Sequence, residues 1–210
     1  GCGSISERRH IPEYAAHPDV ELVAFADPIL ERAEGYAKQH NAKAYSDYKE
    51  LLAAGGFDAV SVCTPNALHA EVSIAAANAG AHVLVEKPMA VSNEEALQMI
   101  EAAEKNNVYL MVAHNQRLMP PHLKAKEILK QGHLGRVLTF RTAFGHSGPE
   151  GWSIDGKNSW FFRKGEAVMG AMGDLGVHKS DMIRWLLDDE VVSVSAFIGT
   201  LDKKDTDVDD

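Results

Sequence analysis

Three short stretches set reactive side chains where chemistry could be done. In "HVLVEKPMA" (82–90) an apolar run empties directly into Glu86-Lys87-Pro88, although a core strand more often leaves through Gly, Asn or Asp. An amine held at such a point could polarise an oxygen that gains charge during a reaction. In "MGDLGVHKSD" (172–181) Asp174 and His178 stand four residues apart, on one face of a helix, and Asp181 follows three residues on. A carboxylate beside an imidazole fixes its tautomer and supports its charged form, as a general base or acid requires. The bland alternative is a surface ion pair, but the small residues of "MGAMGD" (169–174) would let the helix start approach a ligand or another backbone closely. A metal shell of Asp174, His178 and Asp181 fits less well, since no further acid and histidine cluster completes it, and no metal is expected. The third stretch is "GCGSIS" (1–6), where Gly1 and Gly3 let backbone approach a pyrophosphate lying over Gly1, Gly3, Ser4 and Ile5. Short glycine patterns recur by chance, so the glycines alone do not separate this reading from an ordinary turn. Asp27 strengthens them, because it follows Gly3 by 24 residues, near the ~20 expected of a ribose-binding acid. An acid there repels a 2'-phosphate and favours NAD over NADP, while Arg32 keeps NADP open.

Elements with the right period surround these residues. Strands are expected at 21–26, 42–45, 58–63, 82–86 and 108–113, and helices at 29–40, 46–54, 66–80 and 92–107. Ser92 with Glu95 three residues later forms a capping box, and Gly80 closes the preceding helix. Such alternation implies βαβ crossovers and a doubly wound parallel α/β sheet. Beyond "PPHLKAKEILKQG" the pattern changes to longer alternating strands at 136–145 and 191–199 around a helix at 174–187. The expectation is a second, α+β domain with an open, mainly antiparallel sheet. The boundary falls between Arg117 and Pro121, giving domains 1–118 and 119–210. Both ends look cut: the chain opens on Gly1 without Met and stops at "DTDVDD", so a first strand is expected to be missing.

In an open parallel sheet, ligands bind outside the carboxyl ends of the strands. Those ends carry Asp27, Thr64-Pro65-Asn66, Glu86-Lys87-Pro88 and His114-Asn115-Gln116-Arg117. Each has an ordinary reading as a cap, a solvated pair or a surface charge. Together with Gly1 they make five polar ends on one edge, which favours a shared crevice.

A formal net charge of -9 argues against nucleic acid and anionic membrane as partners. Cys2 and Cys63 have no zinc-ligand spacing and are too few for a disulfide framework, so a reducing, cytoplasmic setting is expected. No apolar run reaches the roughly 18 residues that cross a bilayer.

The ordered set "GCGSIS…H", "FADP", "CTPNALH", "VEKPMA", "HNQR" and "MGDLGVHKSD" resembles the Gfo/Idh/MocA family, named for glucose–fructose oxidoreductase and inositol dehydrogenase, over nearly the whole chain. The resemblance implies a Rossmann domain followed by a domain whose open sheet often mediates oligomers, hence a homo-oligomer, dimer or tetramer. It implies Lys87, Asp174 and His178 as catalytic residues and a cis Lys87–Pro88 bond. Cofactor contacts are implied at Gly1, Gly3, Asp27, Thr64, Asn66, His69, Glu86 and Lys87, joined by their neighbours Ser4, Ile5, Pro65 and Asn115. Arg117 and Trp160 are implied near nicotinamide or substrate. Ser6 departs from the family's third small residue, and Val168-Met169-Gly170 stands where many members carry three glycines. The expected activity is NAD-dependent oxidation of a secondary alcohol on a sugar or cyclic polyol, or the reverse. The rivals are an NAD-dependent glycosidase working through transient sugar oxidation and a non-catalytic dinucleotide sensor.

Overall fold

The computed structural model describes residues 1–210. Strands β1 (Ala24–Ala26) and β2 (Lys43–Tyr45) pair in parallel, with Phe25 opposite Ala44. A second parallel sheet has β4 (His82–Val85) between β3 (Ala59–Val62) and β5 (Leu110–Val112), and Val62, Val85 and Val112 lie in register across it. Each neighbouring pair is linked through a helix, as parallel pairing demands. Helix α1 (Ile11–Ala16) precedes β1. Helices α2 (Leu30–His40), α3 (Tyr48–Ala54), α4 (His69–Asn78) and α5 (Asn93–Lys105) then alternate with the strands. This is the expected alternating parallel pattern, with every strand shorter than expected at one end or both.

The local chemistry explains the boundaries. At α5, Ser92 Oγ accepts from the Glu95 amide at 3.1 Å, while Glu95 Oε2 accepts from the Val91 amide at 3.1 Å. This is a capping box closed one residue early. Helix α2 ends at Asn41, whose φ of 53° is the left-handed conformation that Asn tolerates. Val62, Val72, Ala76, Val83, Val85 and Met99 fill one core between β3, β4, α4 and α5. A smaller core joins Cys2, Ile11, Phe25, Ala33 and Ala37. The chain start bridges the two sheets: Cys2 Sγ points to the Ala26 carbonyl at 3.7 Å, and a Cβ on Gly1 would come within 2.4 Å of the Cys63 carbonyl oxygen. Only glycine fits at position 1.

The second part contains α6 (Pro120–Lys130), α7 (Lys164–Ala167) and α8 (Val177–Leu187), the last entered through a π-helical turn at Met172–Gly176. Residues 136–145 and 191–199 form no strand, contrary to the expected antiparallel sheet. A strand needs a neighbouring backbone to satisfy its amides, and periodicity alone cannot supply one. Without that neighbour the apolar residues Val192, Val194 and Phe197 stand exposed. The chain end folds back on the start of the π-helical turn. Asp209 accepts from the amides of Gly170 and Met172 with its carboxylate, at 2.8 and 2.9 Å, and from Ala171 with its carbonyl at 3.1 Å.

Candidate active site

The carboxyl ends of β1, β3, β4 and β5 bring the polar residues to one rim. At the first, Asp27 is buried and accepts from the Cys2 amide (2.8 Å) and the Ile29 amide (2.9 Å), which ties the glycine turn to the end of β1. An ionised carboxylate has about four acceptor sites, so two backbone donors leave room for ribose hydroxyls. A Cβ on Gly3 would meet nothing within 4 Å, and this open backbone fits the approach of a pyrophosphate. Ser4 Oγ is engaged by the Ile154 amide at 2.9 Å, and Ile5 leads into the π-helical turn Ser6–His10.

Past β3, the Thr64 hydroxyl is buried without a partner, an acceptor and donor waiting for one. Pro65 precedes a 3-10 turn whose first residue, Asn66, is buried and donates to the Ala167 carbonyl at 2.9 Å. His69 has both ring nitrogens against backbone carbonyls, Pro88 at 2.6 Å and Thr64 at 3.0 Å. Burial holds its pKa below the ordinary value, so it is neutral and donates to one of them. The expected cofactor contact from His69 is corrected: its ring joins two rim turns and has no nitrogen left for a ligand.

At the end of β4, Lys87 and Pro88 are joined by the cis bond that the resemblance implies. Lys87 Nζ donates to the Asp174 carbonyl oxygen at 2.8 Å and to its Oδ1 at 2.9 Å. Asp174 Oδ2 faces His146 Nε2 at 3.1 Å. The expected Asp174–His178 pair is therefore corrected. The π-helical turn disturbs the register by which residues four apart share a face, and the largely buried Lys87 ammonium is the stronger claimant for the carboxylate. His178 is buried with its Nδ1 unpartnered. Burial, and next the Lys87 charge, outweigh the pull of Asp174 and lower its pKa to about 4. The imidazole is neutral at pH 7.

Sequence reasoning missed a second cluster behind the rim. Glu86 is buried and its Oε1 lies 2.8 Å from His10 Nε2; His10 Nδ1 lies 3.2 Å from Ser61 Oγ, which bonds the Tyr14 hydroxyl at 2.5 Å. Burial works against the His10 cation, but Cys63 and Glu86 raise its pKa to about 11. Burial also opposes ionisation of Glu86, yet His10 holds its carboxyl below the usual range. The only sequence signal was a histidine on the helix after the glycine turn. This cluster borders a cleft of about 790 Å³ that continues to His114, Arg117 and Asp181.

Arg117, expected near the nicotinamide, forms a forked pair with Asp181, its Nε 2.8 Å from Oδ2. Asn115 is exposed on a 3-10 turn, and Trp160 stacks on Phe161 with ring centroids 3.8 Å apart. The structure thus brings together Lys87, Asp174 and His178, while Arg117 spends its fork within the protein.

A glycine turn tied to an acid at the end of β1, on the edge of a parallel sheet, defines a dinucleotide-binding Rossmann fold. Residues 1–114 match the GFO_IDH_MocA family, described as an oxidoreductase family with an NAD-binding Rossmann fold, and residues 122–210 match the GFO/IDH/MocA C-terminal domain. The chain belongs to the Gfo/Idh/MocA family. It is 37% identical over 187 residues to a levoglucosan dehydrogenase of Pseudarthrobacter phenanthrenivorans, covering 88% of this chain and 46% of that protein. It is 32% identical to a D-glucoside 3-dehydrogenase of Escherichia coli, covering 89% and 52%. The structure of GenD2 from gentamicin A biosynthesis, in complex with NAD, superposes with a TM-score of 0.88 at 31% identity, over 96% of this chain and 56% of that one. The chain spans about half the length of these relatives. No helix is long and apolar enough to cross a membrane.

Proposed function

We propose that this chain carries the cofactor site and catalytic residues of an NAD-dependent oxidoreductase acting on a secondary alcohol, or the matching ketone, of a sugar or cyclic polyol. The observation that supports it most is the neutral, buried His178 with an unpartnered Nδ1 beside the Lys87–Asp174 pair. His178 takes the hydroxyl proton. Lys87, with its ammonium already oriented by Asp174, stabilises the negative charge that grows on the oxygen. Asp174 is an anchor for Lys87 in this scheme, and its remaining oxygen, shared with His146, balances the proton gained by His178. The nicotinamide, when bound, accepts or returns the hydride.

Asp27 would hold the adenosine ribose of the cofactor, and Gly1, Gly3, Ser4 and Ile5 would receive its pyrophosphate. Thr64, Pro65, Asn66, Glu86 and Asn115 border its path toward Lys87. Trp160 is assigned to the substrate side. The division into domains 1–118 and 119–210 follows the change in pattern, and segments 136–145 and 191–199 are assigned to an open, mainly antiparallel sheet that forms when further strands or a second copy lie alongside. The exposed Val192, Val194 and Phe197 support that assignment and a homo-oligomer. Two free cysteines support a cytoplasmic setting.

The test is a titration with NAD and NADP followed by a screen of sugars and cyclic polyols for net NADH formation. Turnover that disappears in His178→Gln while NAD affinity persists is the expected result. Absence of dinucleotide binding, or full turnover in that variant, overturns the reading.

A further inference from the structure

The loop at residues 152–155 comes from the second half of the chain and lies against the glycine turn of the first. Arg8 donates to the Trp152 carbonyl at 2.7 Å, the Ile154 amide donates to Ser4 Oγ at 2.9 Å, and Arg32 donates to Asp155 Oδ1 at 2.5 Å. Asp155 is itself braced by Ser153 Oγ, which accepts from its amide at 3.3 Å. Its carboxylate is therefore a fixed charge, about a third exposed, against a guanidinium that is about a quarter exposed.

Arg32 sits in the first turn of α2, five residues beyond Asp27. It is the one permanent cation among the residues bordering a cleft of about 660 Å³ that also touches Cys2, Glu7, Glu31 and Ile154. A guanidinium beside the ribose end of a dinucleotide is the group that would receive a 2'-phosphate, because its planar fork matches phosphate oxygens. In this chain the fork is already facing a carboxylate.

We propose that Asp155 determines cofactor choice by occupying Arg32, so that the adenosine end accepts a free ribose hydroxyl and rejects a 2'-phosphate. The inference rests on the dinucleotide reading above and adds a residue to it from the far side of the chain. Two effects act in one direction. With Asp155 in place, Asp27, Glu31 and Asp155 all repel a phosphate, and the Arg32 charge is already paired through its Nη2. Without it, one repulsion is gone and the guanidinium is released. An ordinary exposed ion pair would contribute little to stability and nothing to the choice between two cofactors.

The experiment measures affinity by calorimetric titration of the chain with NAD, NADP and 2',5'-ADP. Asp155→Asn should tighten NADP and 2',5'-ADP by about tenfold, the effect of one freed charge-assisted contact, and leave NAD within about twofold. The double variant Arg32→Ala with Asp155→Asn should show no such gain. Unchanged NADP affinity in Asp155→Asn, or a gain that survives loss of Arg32, overturns the proposal while NAD binding leaves the cofactor reading standing. Failure of the unaltered chain to bind either dinucleotide overturns both.

Discussion

Lys87 grips Asp174 twice, through the backbone carbonyl and through the carboxylate, across 87 residues of sequence. The double contact makes the amine a brace between β4 and the turn that leads into α8, beside the part proposed for it in the chemistry. Both side chains are nearly buried, 14% and 13% exposed, so neither charge can be left alone without cost.

Lys87→Met should therefore fail in two separable ways. Turnover should fall by at least about a hundredfold, as loss of an oxyanion-stabilising donor does, with NAD affinity little changed. Urea unfolding should show a loss of about 3 kcal/mol, since the Asp174 carboxylate is stranded with only His146 beside it. Adding Asp174→Asn should recover part of that loss. A variant with normal turnover removes Lys87 from the chemistry, and one with normal stability removes the brace.

Acid should weaken the fold before most carboxylates titrate. His178 has its pKa lowered to about 4, and His69 and His114 are lowered as well, all chiefly by burial. The unfolded chain takes up these protons first, so the contribution is whole above the unfolded value of about 6.5 and shrinks as pH falls toward 4. His10 runs the other way: raised to about 11, it stabilises fully below about 6.5 and loses that contribution as pH rises through 11. Urea midpoints across this range, repeated with His178→Asn, check both signs. The variant should show a shallower acid slope; an unchanged slope contradicts the neutral, buried imidazole.

Val168 has φ 66° and ψ −44°, a conformation a β-branched residue strongly resists. Val168→Gly should raise stability by about 1 kcal/mol, the relief of strain outweighing the extra freedom glycine gives the unfolded chain. Thermal unfolding reads it directly, and a drop in midpoint would mean the valine side chain contributes packing that exceeds its strain.

The legible parts of this protein were those whose causes are local. Ser92 and Glu95 announce a capping box because both partners lie within four residues, and the structure forms it. The β-strand and helix alternation from Glu21 to Ala113 was readable because each element carries its own period. Asp174 misled for the opposite reason: its true partners, Lys87 and His146, come from elsewhere in the chain, and no spacing rule reaches them. His146 sits in a loop whose path has no periodic signature. Segments 136–145 and 191–199 carry a strand pattern that the chain alone does not pair, since a ladder is a property of two backbones. Glu86 was read as one of the polar ends, but the histidine that ionises it lies 76 residues earlier.

Asp209 holds the amides of three consecutive residues, Gly170 to Met172, and leaves no room for a side chain at Gly170, where a Cβ would fall 1.7 Å from its carbonyl oxygen. Those amides open the turn that carries Asp174. Residues around Asp209 and the turn that carries Asp174 should therefore open as one cooperative unit and exchange hydrogen for deuterium together. A protease that nicks the chain between Gly199 and Asp209 would be reporting on the order of the Lys87–Asp174 brace, although the cut lies well beyond Asp174 in sequence.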